Sequence, residues 1–125
     1  MQLVLDPDPF DILLMGNHYG DILANLGSGL AGGISGAHAI NVGDRHRVYE
    51  AIHGDAPHLG GTGRANLLPL LSPAIALLRF LGEGGAADRI VAAMTRVLEQ
   101  RRAITPDLGG SATTEAMAQA IIAAM

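Results

Sequence analysis

NHYGDILANLGSGLAGG, residues 17–33, is the stretch that decides the fold of this part of the chain. Its apolar residues recur at the spacing of one helix face: Ile22, Leu23, Leu26 and Leu30. The pair Gly32 and Gly33 follows, and glycine readily adopts the left-handed conformation found just after a helix C-terminus. We therefore predict one amphipathic helix that ends at these two glycines.

Two polar residues of this helix lie one turn apart. Asp21 and Asn25 are on one helix face, so both side chains can point at one ligand. Two carboxylates at this spacing would offer a divalent metal hard oxygen ligands, but here the second residue carries an amide. Three interpretations stay open: a metal site, a weakened metal site, or a polar helix edge on which Asp21 is only a charge near the N-terminus.

The surrounding sequence predicts an α/β fold with few strands flanked by helices. The apolar run PFDILLM, residues 9–15, has the length of a buried strand, and residues 47–52 favour a second strand. Residues 68–82 are apolar on nearly all sides, which predicts a helix buried over most of its surface. Residues 85–102 predict an amphipathic helix, and residues 105–125 a loop followed by a final helix. Two short strands make a poor sheet by themselves.

Length and composition describe one aliphatic, acidic domain that spans residues 1–125. The core must be aliphatic, because the chain has only two Phe, two Tyr and no Trp. Its net charge of −4 does not favour binding to nucleic acid or to an anionic membrane surface. No apolar run approaches the ~20 residues of a membrane span. Because the chain lacks cysteine and MQLVLDPDPF has no signal-peptide pattern, we expect a soluble, cytoplasmic protein.

The basic residues limit the chemistry that this chain can perform. All eight are arginine, and there is no lysine. Because arginine keeps its proton, no side-chain amine of this chain can transfer a proton in catalysis. A compositional bias toward Arg and Ala explains the pattern more readily than function does, but the chemical consequence is the same.

EAIHGDAPHLGGTGRAN, residues 50–66, is a glycine-rich loop with two histidines between a strand and a helix. Glycine allows backbone N–H groups to approach a phosphate, and His or Asn can hold a base by stacking or hydrogen bonds. The spacing is not the G-x-G-x-x-G fingerprint of dinucleotide-binding folds. The residues alone therefore favour an ordinary surface loop as readily as a nucleotide loop.

Three motifs of this chain occur together in a known family. They are FDILLMGNHYGDILANLGSGLAGG, YEAIHGDAPHLGGTGRAN and TPDLGGSATT. In this order and spacing they resemble the C-terminal part of the isocitrate/isopropylmalate dehydrogenases, which are metal-dependent β-decarboxylating 2-hydroxy-acid dehydrogenases. The resemblance covers essentially the whole chain and implies a partial version of that fold. The tyrosine of NHYGD and the LVLDP at residues 3–7 favour the NAD-type isocitrate branch.

The resemblance implies a metal site for Mg²⁺ or Mn²⁺. Asp21 matches the metal-binding aspartate of the family, and Asn25 stands where the family has a second aspartate. An amide oxygen can bind the metal or a metal-bound water, but it adds no negative charge, so the affinity should be lower.

The resemblance also implies that one loop surrounds the adenosine part of NAD or NADP. The matching residues are His53, Gly54, Asp55, Ala56, Pro57, His58, Leu59 and Asn66. Asp55 replaces a small hydroxyl residue, and His58 stands where NAD users commonly carry Asp and NADP users Lys. These two residues do not identify the cofactor, and NAD is favoured through the isocitrate branch. The DLGGSATT segment, with Asp107, lies on the same nucleotide side in the family.

Several parts of the family's site have no match in this sequence. The substrate-binding arginines, the catalytic tyrosine, the lysine and a further metal aspartate belong to other regions, so we assign no catalytic residue. We expect a chain that is inactive alone and that forms a homo-oligomer or joins a complementary chain carrying those regions. Only such an assembly would take a 2-hydroxy-dicarboxylate substrate. The alternative is a non-catalytic relic or subunit that binds a nucleotide or a partner.

Overall fold

The protein combines helices with one small sheet, in a computed structural model that describes residues 1–33 and 37–125. The elements in chain order are α1 (Gln2–Leu5), α2 (Asn17–Leu30), β1 (His38–Val42), β2 (Arg47–Ala51), α3 (Leu68–Phe80), α4 (Gly84–Gln100) and α5 (Thr114–Ala124). Two short 3₁₀ turns, Pro57–Leu59 and Pro106–Leu108, precede α3 and α5. The predicted α/β class is confirmed.

The C-terminus of α2 confirms the predicted glycine stop. The last helical residue is Leu30, and Gly32 and Gly33 follow with φ angles of 108° and 116°. The N–H of Gly33 donates to the carbonyl of Ser28 at 2.8 Å, which satisfies a carbonyl that the helix leaves without an internal partner. Local glycine chemistry therefore ends this helix.

The strand predicted at residues 9–15 is wrong. Residues 12–15 have no regular secondary structure, and the side chains of Ile12 and Leu14 are 84% and 97% exposed. An extended segment becomes a strand when a neighbour takes up its backbone hydrogen bonds. Among the described residues, the sheet contains two strands, and neither pairs with this segment. Although this segment is apolar, it therefore forms no strand, and Ile12 and Leu14 are not buried.

The sheet is an antiparallel hairpin of β1 and β2. Ile40 lies opposite Tyr49, and Ala39 lies opposite Glu50. β2 confirms the strand predicted at residues 47–52, whereas β1 has no counterpart among the sequence predictions. The sheet thus arises from a local chain reversal and does not include the apolar run near the N-terminus.

The helix α3 is present as predicted, but it is less buried than its composition implies. Leu68 and Ile75 are buried, whereas Leu70 and Leu77 are 67% and 38% exposed. One side of α3 packs against α4 and the hairpin. The expectation of burial on most sides is wrong, because within the described residues nothing covers the other side.

The core lies among α3, α4, α5 and the loop before α5. Its buried residues are Leu68, Ala93, Val97, Ile104, Met117 and Ile121. All are aliphatic or methionine, as the composition predicts. Among the described residues, every buried one lies between positions 68 and 121, and α1 and α2 contain none. No described helix is long and apolar enough to cross a membrane.

Candidate metal and nucleotide site

A cavity of about 730 Å³ lies between α2 and the hairpin. Asp21, Asn25 and Ser28 line it from the helix, and residues 37–39 and 50–52 line it from the hairpin side. The structure therefore brings both predicted metal residues to one concave surface.

The position of Asp21 in α2 removes one interpretation of this residue. The helix begins at Asn17, so Asp21 is its fifth residue, and the first turn contains no acidic side chain. The favourable effect of a carboxylate on a helix N-terminus is confined to the first turn. Asp21 is therefore not simply an N-terminal helix charge, and its exposed carboxylate is free to face the cavity.

The side chain of Asn25 is oriented by its own helix. Its Nδ2 donates a hydrogen bond to the backbone carbonyl of Asp21 at 2.9 Å. Because the donor end of the amide is engaged, the acceptor Oδ1 remains the atom that could bind a cation or a metal-bound water. The bond thus ties the donor end of the amide to α2 and leaves Oδ1 as its acceptor.

The side-chain oxygens at this site are of the type that Mg²⁺ binds, but they are too few to complete its coordination. The carboxylate of Asp21 and the Oδ1 of Asn25 are hard oxygens, which Mg²⁺ and Mn²⁺ prefer. Two side chains leave most of an octahedron to water or to other molecules. Within residues 1–33 and 37–125, no group of three or more His, Cys, Asp or Glu residues is arranged to hold a metal. The site is therefore incomplete in this part of the chain.

Glu50 is a cavity residue that the sequence reasoning missed. It lines the same cavity as Asp21, and its Oε1 accepts a hydrogen bond from Asn41 Nδ2 at 2.6 Å. Asn41 lies on β1, so the hairpin holds this carboxylate in place. Recognising HAINV as the partner strand of RVYEA would have placed Glu50 beside Ala39. The cavity thus has a second carboxylate, opposite α2.

The predicted nucleotide loop begins at the edge of this cavity, since Ile52 is a lining residue. Ala56 has the left-handed angles φ 44° and ψ 59°, and its carbonyl accepts the N–H of Leu59 at 2.8 Å. The Nδ1 of His53 lies 3.0 Å from the carbonyl of Gly54. A non-glycine residue in this conformation costs energy and is often found at functional sites. The turn therefore has the strain expected of a binding loop.

The predicted nucleotide residues fall into two groups in the structure. The first group lies in the turn at residues 53–59, where Asp55 and His58 are exposed. The second is Asn66, whose Nδ2 donates to Asp107 Oδ2 at 2.8 Å and whose Oδ1 accepts the N–H of Leu68 at 2.9 Å. Asn66 thus lies beside Asp107 of the DLGGSATT segment. The two bonds also give the Asn66 side chain a structural role.

A sequence profile described as isocitrate/isopropylmalate dehydrogenase matches residues 1–121. The chain belongs to this family. An isocitrate/homoisocitrate dehydrogenase of Thermus thermophilus is 46% identical over 125 residues, which are 100% of this chain and 37% of that protein. A 3-isopropylmalate/3-methylmalate dehydrogenase of Methanocaldococcus jannaschii is 38% identical over 121 residues, 97% of this chain and 36% of that protein.

A solved structure shows the same family fold. The crystal structure of isocitrate dehydrogenase from Methylococcus capsulatus matches with a TM-score of 0.91 and 38% identity, over 99% of this chain and 37% of that one. The resemblance inferred from the three motifs is thereby confirmed. The chain spans about 37% of the length of these family members, so its fold is a part of theirs.

Proposed function

We propose that this chain is the metal- and cofactor-binding part of an NAD(P)-dependent β-decarboxylating 2-hydroxy-acid dehydrogenase. Isocitrate is the favoured substrate class and 3-isopropylmalate the next, because relatives named for both align with nearly the whole chain. NAD is the favoured cofactor. Substrate binding and turnover belong to an assembly that is more complete than these 125 residues, since the relatives are almost three times as long.

The shared cavity of Asp21, Asn25 and Glu50 carries this proposal. Asp21 supplies a charged ligand and Asn25 a neutral oxygen. Glu50, held by Asn41, adds negative potential from the opposite wall, which favours a cation between the two. A divalent metal bound here would polarise the substrate hydroxyl and the carbonyl that replaces it on oxidation.

The turn at residues 53–59 supports cofactor binding at the same end of the molecule. It follows the cavity residue Ile52 directly, so a nucleotide on the turn would lie close to the metal residues. The left-handed Ala56 fixes the path of the backbone, and the exposed His58 can contact an adenosine ring or ribose. NAD or NADP would supply the nicotinamide that accepts a hydride, while the protein positions it.

Asn25 favours a second function class, a non-catalytic subunit that binds a nucleotide or a partner. Replacement of a metal carboxylate by an amide is the change expected when metal chemistry is no longer required. The absence of lysine agrees with this alternative. Turnover restored by adding a complementary chain would favour the enzyme proposal. Nucleotide binding without turnover in mixtures of this chain with complementary chains would favour the non-catalytic subunit.

Metal titration tests the proposed site. We expect Mn²⁺ to bind the unmodified chain weakly, with a dissociation constant of roughly millimolar or above, the weak end for oxygen-ligand sites. Asn25→Asp should tighten binding on the order of tenfold, because it adds a second charged ligand. Asn25→Ala is the matched control and should give no gain. Calorimetry or Mn²⁺ relaxation measures all three, and tight binding by the unmodified chain, or no gain in Asn25→Asp, would contradict the proposal.

An activity assay tests whether the chain is sufficient. We expect no isocitrate- or isopropylmalate-dependent reduction of NAD or NADP by the purified chain, because it has no lysine and no match to the family's substrate-binding region. Turnover that copurifies with the chain and disappears in Asp21→Ala would refute this expectation.

A further inference from the structure

The helix α5 contacts the end of the nucleotide loop through its first residue, Thr114. The N–H of Thr114 donates to the carbonyl of Gly63 at 2.8 Å, and its Oγ1 donates to the carbonyl of Ala65. The first N–H groups of a helix have no partner within the helix, so the bond to Gly63 costs α5 nothing. The hydroxyl bond joins residues 49 positions apart. Thr114 is thus a long-range link between the two segments.

These two bonds determine the path of residues 63–66. Both carbonyls reach Thr114, one through its N–H and the other through its hydroxyl, so residues 63–65 pass beside the first turn of α5. Gly63 itself has φ 64°, in the left-handed region that favours glycine. The next bonds in the chain direction belong to Asn66, which contacts Asp107 and the N-terminus of α3. The segment is therefore held at both ends.

The neighbouring threonine performs a different task. Thr113 Oγ1 accepts the N–H of Ala116 at 3.1 Å and so caps α5 in the usual way. The hydroxyl of Thr114 makes no bond to its own helix and instead donates to the carbonyl of Ala65. Of these two adjacent threonines, Thr113 therefore stabilises the helix and Thr114 contacts the loop.

We propose that Thr114 is a positioning residue for the nucleotide. It holds residues 63–66 in the conformation that presents Asn66. This inference deepens the proposed function, and its nucleotide part rests on that function. The preceding loop is rich in glycine, and such a segment samples many conformations unless it is tied down. Without the hydroxyl, a bound nucleotide would have to order the segment itself, and its apparent affinity would fall.

Three variants separate positioning from general stability. Thr114→Val keeps the shape and removes the hydroxyl, Thr114→Ser keeps the hydroxyl, and Thr113→Val removes the cap of the same helix without touching the loop. Thr114→Ala is a second way to remove the hydroxyl if the valine variant does not fold. The readouts are exchange of the backbone amide of residue 114, whose N–H donates to Gly63, measured without ligand, and calorimetric titration with NAD and with AMP.

The expected effect of Thr114→Val corresponds to the loss of one net hydrogen bond. Exchange of the residue-114 amide should be faster, and the dissociation constants of NAD and AMP higher, each by about fivefold. Thr114→Ser should restore both readouts. Thr113→Val should lower the melting temperature and change both readouts less than Thr114→Val does.

Two results would overturn the inference. One is unchanged exchange of the residue-114 amide in Thr114→Val, and the other is a loss of NAD affinity in Thr113→Val as large as that in Thr114→Val. Failure of the unmodified chain to bind either NAD or AMP would reject the proposed function together with the nucleotide part of this inference. In that case the exchange data would still confirm or reject the contact between Thr114 and the loop.

Discussion

α2 and α4 are amphipathic helices of similar length that the molecule uses differently. α2 has 14 residues and buries none, whereas α4 has 17 and buries Ala87, Ala93 and Val97. On α2, Ile22 and Leu30 are 54% and 57% exposed although they belong to its apolar stripe. An amphipathic pattern therefore determines which face of a helix can be buried, but not that a partner covers it.

The difference follows from what surrounds each helix. α4 packs between α3 and α5, which adjoin it in the chain. Beside α2 lie an apolar cavity of about 610 Å³, shared with α1, and the polar cavity of about 730 Å³ that contains Asp21. The predicted metal residues thus lie in the least packed part of the molecule, and its stability comes from the other part. The following substitutions test this division.

A pair of core and surface truncations should show the largest contrast. Met117→Ala removes a fully buried side chain and should lower the free energy of unfolding by about 2–5 kcal/mol. Leu26→Ala, at a residue that is 41% exposed, should cost less, about 1 kcal/mol or below. Urea unfolding followed by circular dichroism measures both. Similar losses would show that α2 packs against a core of its own.

A pair of glycine substitutions should give effects of opposite sign. A Cβ added at Gly110 would overlap the backbone carbonyl of Ile104, so Gly110→Ala should destabilise the fold by about 1–3 kcal/mol. A Cβ at Gly29 of α2 meets nothing within 4 Å, so Gly29→Ala should stabilise the helix by up to about 1 kcal/mol. Thermal melts decide the sign, and a destabilising Gly29→Ala would mean that α2 is covered.

The uncovered stripe of α2 predicts association. We expect a dimer, a larger oligomer or poor solubility, because an apolar helix face and unpaired strand edges are exposed. Leu26→Gln should weaken association at least about tenfold, that is by about 1.4 kcal/mol. Arg89→Gln, at an exposed polar residue of α4, is the control and should have little effect. A monodisperse monomer with a sharp melt, seen by light scattering and calorimetry, would contradict this prediction.

The smallest effect is expected at the surface ion pair of the packed half. Arg79 Nη2 lies 3.0 Å from Asp88 Oδ1, but their side chains are 56% and 72% exposed. Asp88→Asn should therefore change the free energy of unfolding by less than about 0.5 kcal/mol. A larger loss in urea unfolding would show that surface charge contributes to the stability of this half.

Short-range signals explain which elements are predictable from the sequence. The helices α2 to α5 and the strand β2 follow from periodicity and from glycine stops, which act within a few residues. The prediction of a strand at residues 9–15 is wrong because an apolar run indicates only hydrophobicity, whereas a strand also needs a neighbouring strand to take up its backbone hydrogen bonds. β1 is missed because five residues of mixed character give little periodic signal.

The sequence by itself determines that Asp21 and Asn25 share a helix face, that no lysine is available for catalysis, and that three motifs lie in the family's order. The tertiary structure alone brings Glu50 to the cavity opposite Asp21, Asn66 to Asp107, and Thr114 to the nucleotide loop. The reason is physical: spacing along a helix is set by local hydrogen bonds, whereas contacts 41 or 49 positions apart depend on how complete elements pack.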